Sequence, residues 1–250
     1  MAKTEEQVLA KLDKPPAAPN WAVSNFQEKS RTRSALVNLA LGFPQISYQW
    51  AHRIIQITIA DKRSDDEAIK LLRKHCPASQ WDHNLSLLHA FLEYNKIRQF
   101  DGIQVYDEFC GFFMAGPDVR VPVRPTAVIV EGGVLKPIFV VGWAHNRLKY
   151  YQRRLLTSIF EDAIYSLTDF VNSPGEVLFF PENGYGVRKV DRWDRDTYAP
   201  LSRDELAAQV ERFIQAREEA RSVIPVRLRE QAARKAAMKR ASKGGEPKHP

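Results

Sequence analysis

The chain is expected to fold as a mixed α/β (α+β) protein: a small mixed sheet flanked by helices, with a helical N-terminal section. Three observations carry that expectation. Residues 126–131 and 136–144 are apolar, β-type runs separated by Gly132-Gly133, the pattern of a tight hairpin. A helical stripe follows in Leu148, Tyr151, Leu155, Ile159, Ala163 and Leu167, and residues 176–180 supply another apolar strand. Ahead of this block, residues 21–77 space their apolar side chains mostly as helices do.

In chain order, residues 1–20 contain Lys14-Pro15-Pro16-Ala17-Ala18-Pro19. Prolines lack the amide that a helix interior needs, so a flexible leader is expected. Within 21–77, Ile46 to Ala60 is ambiguous. Trp50, Ile54 and Ile57 have helical spacing, whereas Ile55, Ile57 and Ile59 alternate like a strand; the helix is the expected outcome. Ser64-Asp65-Asp66-Glu67 is a capping box that opens a helix with Ala68, Ile69, Leu71 and Leu72 inward, and Pro77 closes it.

Residues 78–222 form the expected α/β core. It begins with a helix carrying Trp81, Leu85, Leu88 and Leu92, then an aromatic, extended stretch over 103–114 and a turn at Gly116-Pro117-Asp118. The hairpin follows, then a helix from about Asn146 and the closing strand. Residues 185–198 read as a strand or ordered loop. Ser202-Arg203-Asp204-Glu205 is a second capping box, opening a helix with Leu206, Val210, Phe213 and Ile214 on its buried side.

Composition bounds the function classes. With 250 residues, 44% hydrophobic and 27% charged, the chain matches globular proteins rather than disordered ones. No apolar run approaches the ~20 residues of a membrane helix, and the first residues lack a secretory layout. Cys76 and Cys110 make no metal-type pair and suit a reduced compartment, so a cytoplasmic location is expected. His75, Cys76, His83 and His89 match no zinc spacing.

Charge is unevenly placed. Residues 226–250 hold eight basic residues against Glu230 and Glu246, a net of +6. Of the whole chain's formal +7, only +1 is left for the rest. A basic Ala/Arg/Lys tail over 223–250 fits a nucleic-acid-binding arm.

Taken in order, residues 81–180 give helix, strand, strand, strand, helix, strand. This resembles the PD-(D/E)XK, or restriction-endonuclease-like, core over about 100 residues. The resemblance implies a divalent metal, such as Mg²⁺, held by an acid on the second strand and an E-x-K triplet on the third. An acid on the preceding helix and a glutamine on the following one complete the family's set. Such a site hydrolyses phosphodiesters because the metal activates water and offsets developing charge. Glu93 matches the helix acid, Glu131 the strand acid and Gln152 the helix glutamine, although Gln152 reads as a surface residue. The third strand, Val140-Val141-Gly142-Trp143-Ala144, has neither acid nor lysine. Lys136 precedes that strand in this reading and would have to reach back. Pro117-Asp118 spells part of the motif but falls in a turn. A degenerate core without nuclease activity, and with no resident metal, is the expectation.

The helix from Asn146 carries Arg147, Lys149, Arg153 and Arg154 in its first two turns. Cations there oppose the helix macrodipole, and bound phosphates would relieve that repulsion. Trp143, His145, Tyr150, Tyr185 and Trp193, with Arg188, Lys189 and Arg192, are candidates for stacking and cationic contacts. The tail adds Arg234, Lys235, Lys239 and Arg240. The sequence therefore points to a DNA- or RNA-binding protein, a non-catalytic subunit of a processing assembly. One alternative is a metal-dependent nuclease with a migrated site using Glu93, Glu131 and Lys136. The other is an adaptor that contacts protein partners through exposed aromatics.

Overall fold

The computed structural model describes residues 4–42, 47–98, 102–104, 109–145 and 147–243. For 102–104 and 239–243 the backbone alone is described.

The N-terminal section is helical: α1 (Glu5–Leu9), α2 (Ala18–Val23), α3 (Lys29–Leu41), α4 (Gln49–Asp61) and α5 (Asp65–His75). The ambiguous stretch is thus a helix from Gln49, and Ile46 lies outside the described residues. The Ser64 box forms as expected, the serine hydroxyl accepting from the Glu67 amide and the Glu67 carboxylate from the Ser64 amide. The leader differs from expectation. Thr4 and Gln7 build a reciprocal capping box on α1, and Val8, Leu12 and Ala18 are buried. Apolar burial outweighs the prolines: Pro15 and Pro16 sit between the helical turns, and Pro19 sits in the first turn of α2, where its missing amide costs no helical hydrogen bond.

Helix α6 (Trp81–Asn95) leads into β1 (Gly102–Gln104), followed by β2 (Gly111–Gly116), β3 (Val119–Val123), β4 (Ala127–Glu131) and β5 (Val134–Val141). β2 and β3 pair with each other as a separate two-stranded ribbon. The β4–β5 turn places Gly132 at φ 58° and Gly133 at φ 75°, the double left-handed geometry that a two-residue hairpin with primed twist requires. After β5 come α7 (Tyr150–Phe160), which ends in a π-helical turn, then β6 (Glu176–Phe179), β7 (Asp191–Asp194) and α8 (Arg203–Lys243). The main sheet runs β1-β4-β5-β6-β7, parallel between β5 and β6 and antiparallel elsewhere. α7 makes the crossover that a parallel pair demands.

Strand alternation splits the core in two. Ile129, Ile138, Val140 and Leu178 face α4, α5 and α6, with Phe91, Leu87 and Leu72 against them. Val128, Phe139, Val141, Val177 and Phe179 face the opposite layer of α7, α8 and the N-terminal helices, where Trp21 packs edge-on to Phe113 and Phe213. The expected tail boundary at 222/223 falls inside α8. Ile224 is still fully buried, Val226 is exposed, and the helix continues through Pro225.

Candidate functional site

Register brings the sequence-predicted acid and lysine together. Lys136 lies inside β5, two residues before Ile138, so its side chain shares the face that Ile138 buries. Glu131 stands two positions from Ile129 on the same face, and Glu176 is the cross-strand partner of Ile138. The expectation that Lys136 precedes the strand is corrected: pairing with Ile129 extends the strand back through Val134.

These groups meet Arg98, just beyond α6. Arg98 donates from Nε to Glu131 Oε1 at 2.9 Å and from Nη2 to Glu176 Oε1 at 2.8 Å, and its Nη1 lies 2.8 Å from Glu176 Oε2. Lys136 Nζ reaches Glu131 Oε2 at 2.8 Å and Glu176 Oε1 at 2.6 Å. Tyr94 Oη donates to Glu176 Oε2 at 3.2 Å, while Arg192 approaches Oε1 at 3.4 Å. Glu176 is fully buried. Burial alone would raise both carboxyls, but the hydrogen bonds and charges of Arg98 and Lys136 outweigh it and hold Glu176 and Glu131 below the ordinary glutamate range.

Every oxygen of the two carboxylates thus already faces a cation or a donor. Divalent metals require such oxygens uncommitted. Glu93 does not join the cluster: it is exposed and pairs with Lys96 at 2.5 Å. Among the described residues no group of three or more His, Cys, Asp or Glu is placed to hold a metal ion. The arrangement is a saturated ion-pair cluster that seals one end of the α6-side core. Asp118 is also engaged elsewhere, gripping Arg217 of α8 at 3.0 and 2.6 Å.

Gln152 is not on the surface. It is almost fully buried; its amide donates to the carbonyls of Val23 and Asn25 at 2.8 and 3.1 Å, and its Oε1 accepts from the Lys149 amide. Gln209 donates to Asn25 Oδ1 and accepts from Tyr151 Oη at 2.8 Å, so a buried polar network ties α7, α8 and the turn after α2.

The cationic candidates divide. Arg153 lies over the rings of Trp193 and Tyr198, 4.8 and 5.3 Å from their centroids, and donates to the Leu148 carbonyl. Arg154 forks onto Glu205 and donates to the carbonyls of Ala199 and Pro200. Arg188 is buried, bonded to Ser86, Tyr48 and the carbonyls of Gly142 and Phe180, and paired with Glu182 at 2.9 Å. These three are structural. Arg147 and Lys149 precede α7 instead of occupying its first turns and are exposed, as is Lys189; Asn146 lies outside the described residues. Tyr150 and Tyr185 are exposed, Trp193 is buried, and Trp143 packs on the core with its indole N–H on Asn20. On α8, Arg229, Arg234 and Lys235 are exposed. The side chains of Lys239 and Arg240 lie outside the description.

Sequence reasoning missed Arg98 and Glu176. The signal for Glu176 was an acid directly abutting the run Val177-Leu178-Phe179-Phe180, since a strand that buries both faces buries its first residue too.

The fold defines a three-layer α/β protein with a mixed sheet. No family model matches the chain, and no curated protein does. A solved structure titled "Crystal structure of SSO0001" is similar at 12% identity, covering 76% of this chain and 88% of that one, with a TM-score of 0.30. That likeness carries no argument about function.

Proposed function

We propose that this chain is a cytoplasmic nucleic-acid-binding protein that acts without catalysing cleavage, as a subunit of a DNA- or RNA-processing assembly. The observation that carries the reading is the end of α8. Leu228 is the last described α8 side chain packed on the core, and over residues 226–238 Arg227, Arg229, Arg234 and Lys235 are exposed, opposed by Glu230 alone among the described side chains of that stretch. At 1.5 Å per residue, residues 226–243 make a rod of about 27 Å, long enough to meet several phosphates. The two cysteines are free thiols, and no described helix is long and apolar enough to cross a membrane. Both facts suit the proposed compartment.

The committed oxygens of Glu131 and Glu176 support the non-catalytic part of this reading. Incubation with Mg²⁺ or Mn²⁺ and labelled DNA or RNA is expected to give no cleavage. Cleavage that disappears in Glu131→Ala would restore the nuclease alternative.

Binding is tested by fluorescence anisotropy over a salt series, comparing the full chain with a chain ending at Pro225. The full chain is expected to lose affinity with a log–log slope of about −0.9 per phosphate contacted on duplex. The shortened chain should lose most of that slope. Binding that ignores salt, or that survives truncation unchanged, would refute the reading.

A further inference from the structure

The β2–β3 ribbon has one face in the core and one that is partly open. Phe113, Ala115, Val119, Val121 and Val123 point inward and are buried. The alternate positions point out. Phe112 is 48% exposed and Met114 46%, paired across the ribbon with Pro122 and Arg120 respectively. Two half-exposed large apolar side chains on one short ribbon form a patch rather than scattered surface residues.

That face borders an open cavity of about 560 Å³, lined by Phe112, Pro122, Lys14, Arg120 and Arg124 along with Asp13 and Asp118. The volume falls within the range of small-ligand sites. Its electrostatics are one-sided. Both oxygens of Asp118 are engaged by Arg217, and Asp13 is shared by Arg217 and Arg221 of α8. The groove's two acids are therefore already neutralised from behind. The side chains of Lys14, Arg120 and Arg124 have no hydrogen-bond or ion-pair partner among the described residues, which leaves three uncompensated cations around a half-exposed phenyl ring.

A flat aromatic ring beside arginines is the combination that receives a nucleotide, the base stacking on the ring and the phosphate meeting the guanidinium groups. A purely apolar partner would leave the cations desolvated and unpaired, and a purely anionic one would leave Phe112 unused. The geometry points to a nucleotide-binding groove on the outer face of the β2–β3 ribbon, with Phe112 as the stacking platform and Arg120 and Arg124 as the phosphate contacts. The nucleotide arrives as part of a single strand or as a free molecule. The inference deepens the proposed function by giving a single strand a place distinct from the α8 tail.

The test uses the full chain and fluorescein-labelled (dT)8, with a 20-base-pair duplex and free dTMP in parallel. Phe112→Leu is expected to weaken (dT)8 binding by about five- to 150-fold, the range for one base on one aromatic ring, while Phe112→Tyr retains it. The Arg120→Gln/Arg124→Gln double variant should lower the single-strand salt slope by about 1.4, two contacts at ~0.7 each. Duplex affinity, carried by the tail, should not change in either. If dTMP binds with the same dependence on Phe112, the source is the free nucleotide; if (dT)8 alone does, it is a strand. Melting curves matching the parent confirm that the variants fold. Unchanged (dT)8 affinity in both variants, with duplex binding intact, overturns the groove and spares the tail. A full chain that binds neither strand nor duplex overturns both readings. An acidic peptide captured through Phe112 in place of any nucleotide also overturns it.

Discussion

Glu176→Ala removes a fully buried carboxylate that receives Arg98, Lys136, Arg192 and Tyr94. Arg98 and Lys136, with side chains only 7% and 10% exposed, are left to share Glu131, which is 27% exposed. Two cations then face one carboxylate in a poorly hydrated place. Breaking a buried pair in this way costs about 3–5 kcal/mol, against a total stability of about 5–15 kcal/mol. For a chain of this size each kcal/mol moves Tm by about 2–4 °C, so a drop of about 6–20 °C is expected. Circular-dichroism melts and urea titrations at pH 7 read it. The control is Glu93→Ala, an exposed residue, with an expected effect within about 0.5 kcal/mol. The cluster also has a pH signature. Glu176 and Glu131 are held below the ordinary glutamate range, so the unfolded chain takes up protons first as pH falls. Their stabilisation is complete above the unfolded value near ~4.3 and drains away as pH drops through the lower folded values. The penalty of Glu176→Gln should therefore be largest near neutrality and shrink below about pH 4. A Glu176→Ala protein melting within about 2 °C of the parent would refute the reasoning, because no buried charge pair would then have been broken.

Two further substitutions probe packing. Gly175→Ala would set a methyl carbon 1.6 Å from Tyr165 Oη; a clear loss of Tm is expected, and Gly175→Ala/Tyr165→Phe should recover part of it in the same melt. Gln152→Leu would leave the carbonyls of Val23 and Asn25 without their donor. A loss of about 1–3 kcal/mol in urea titrations is expected, and a neutral result would show that water replaces the amide.

Much of the fold was legible because its signals are local. The glycine pair between alternating runs gave the hairpin, and the serine boxes gave the starts of α5 and α8, where side chain and backbone satisfy each other within four residues. The leader departs from expectation although Thr4-Glu5-Glu6-Gln7 carries the same type of box, because the prolines after it signal an extended chain more strongly than one box signals a helix. Gln152 sits on the stripe of Leu148, Leu155 and Ile159, so its burial was visible in the spacing, but its partners lie far away in sequence. Arg153 and Arg154 looked like a phosphate-binding helix start. Their actual partners, two aromatic rings, Glu205 and three backbone carbonyls, come mostly from 40 to 50 residues later, beyond the reach of any periodicity. Arg98 belongs to the same class: a single cation whose meaning depends on strand register.

Phe213, Ala216, Ala220 and Ile224 anchor α8 in the core, and the same helix carries the exposed cations onward. The described part of the tail is therefore aimed instead of tethered. Each residue along a helix turns about 100°, so the compass bearing of Arg234 and Lys235 is set by which side of the helix Ile224 buries. A floppy arm would offer its charges to every direction equally. This one transmits the orientation of the body, because a single helix runs through Pro225 from the buried anchor to the exposed cations.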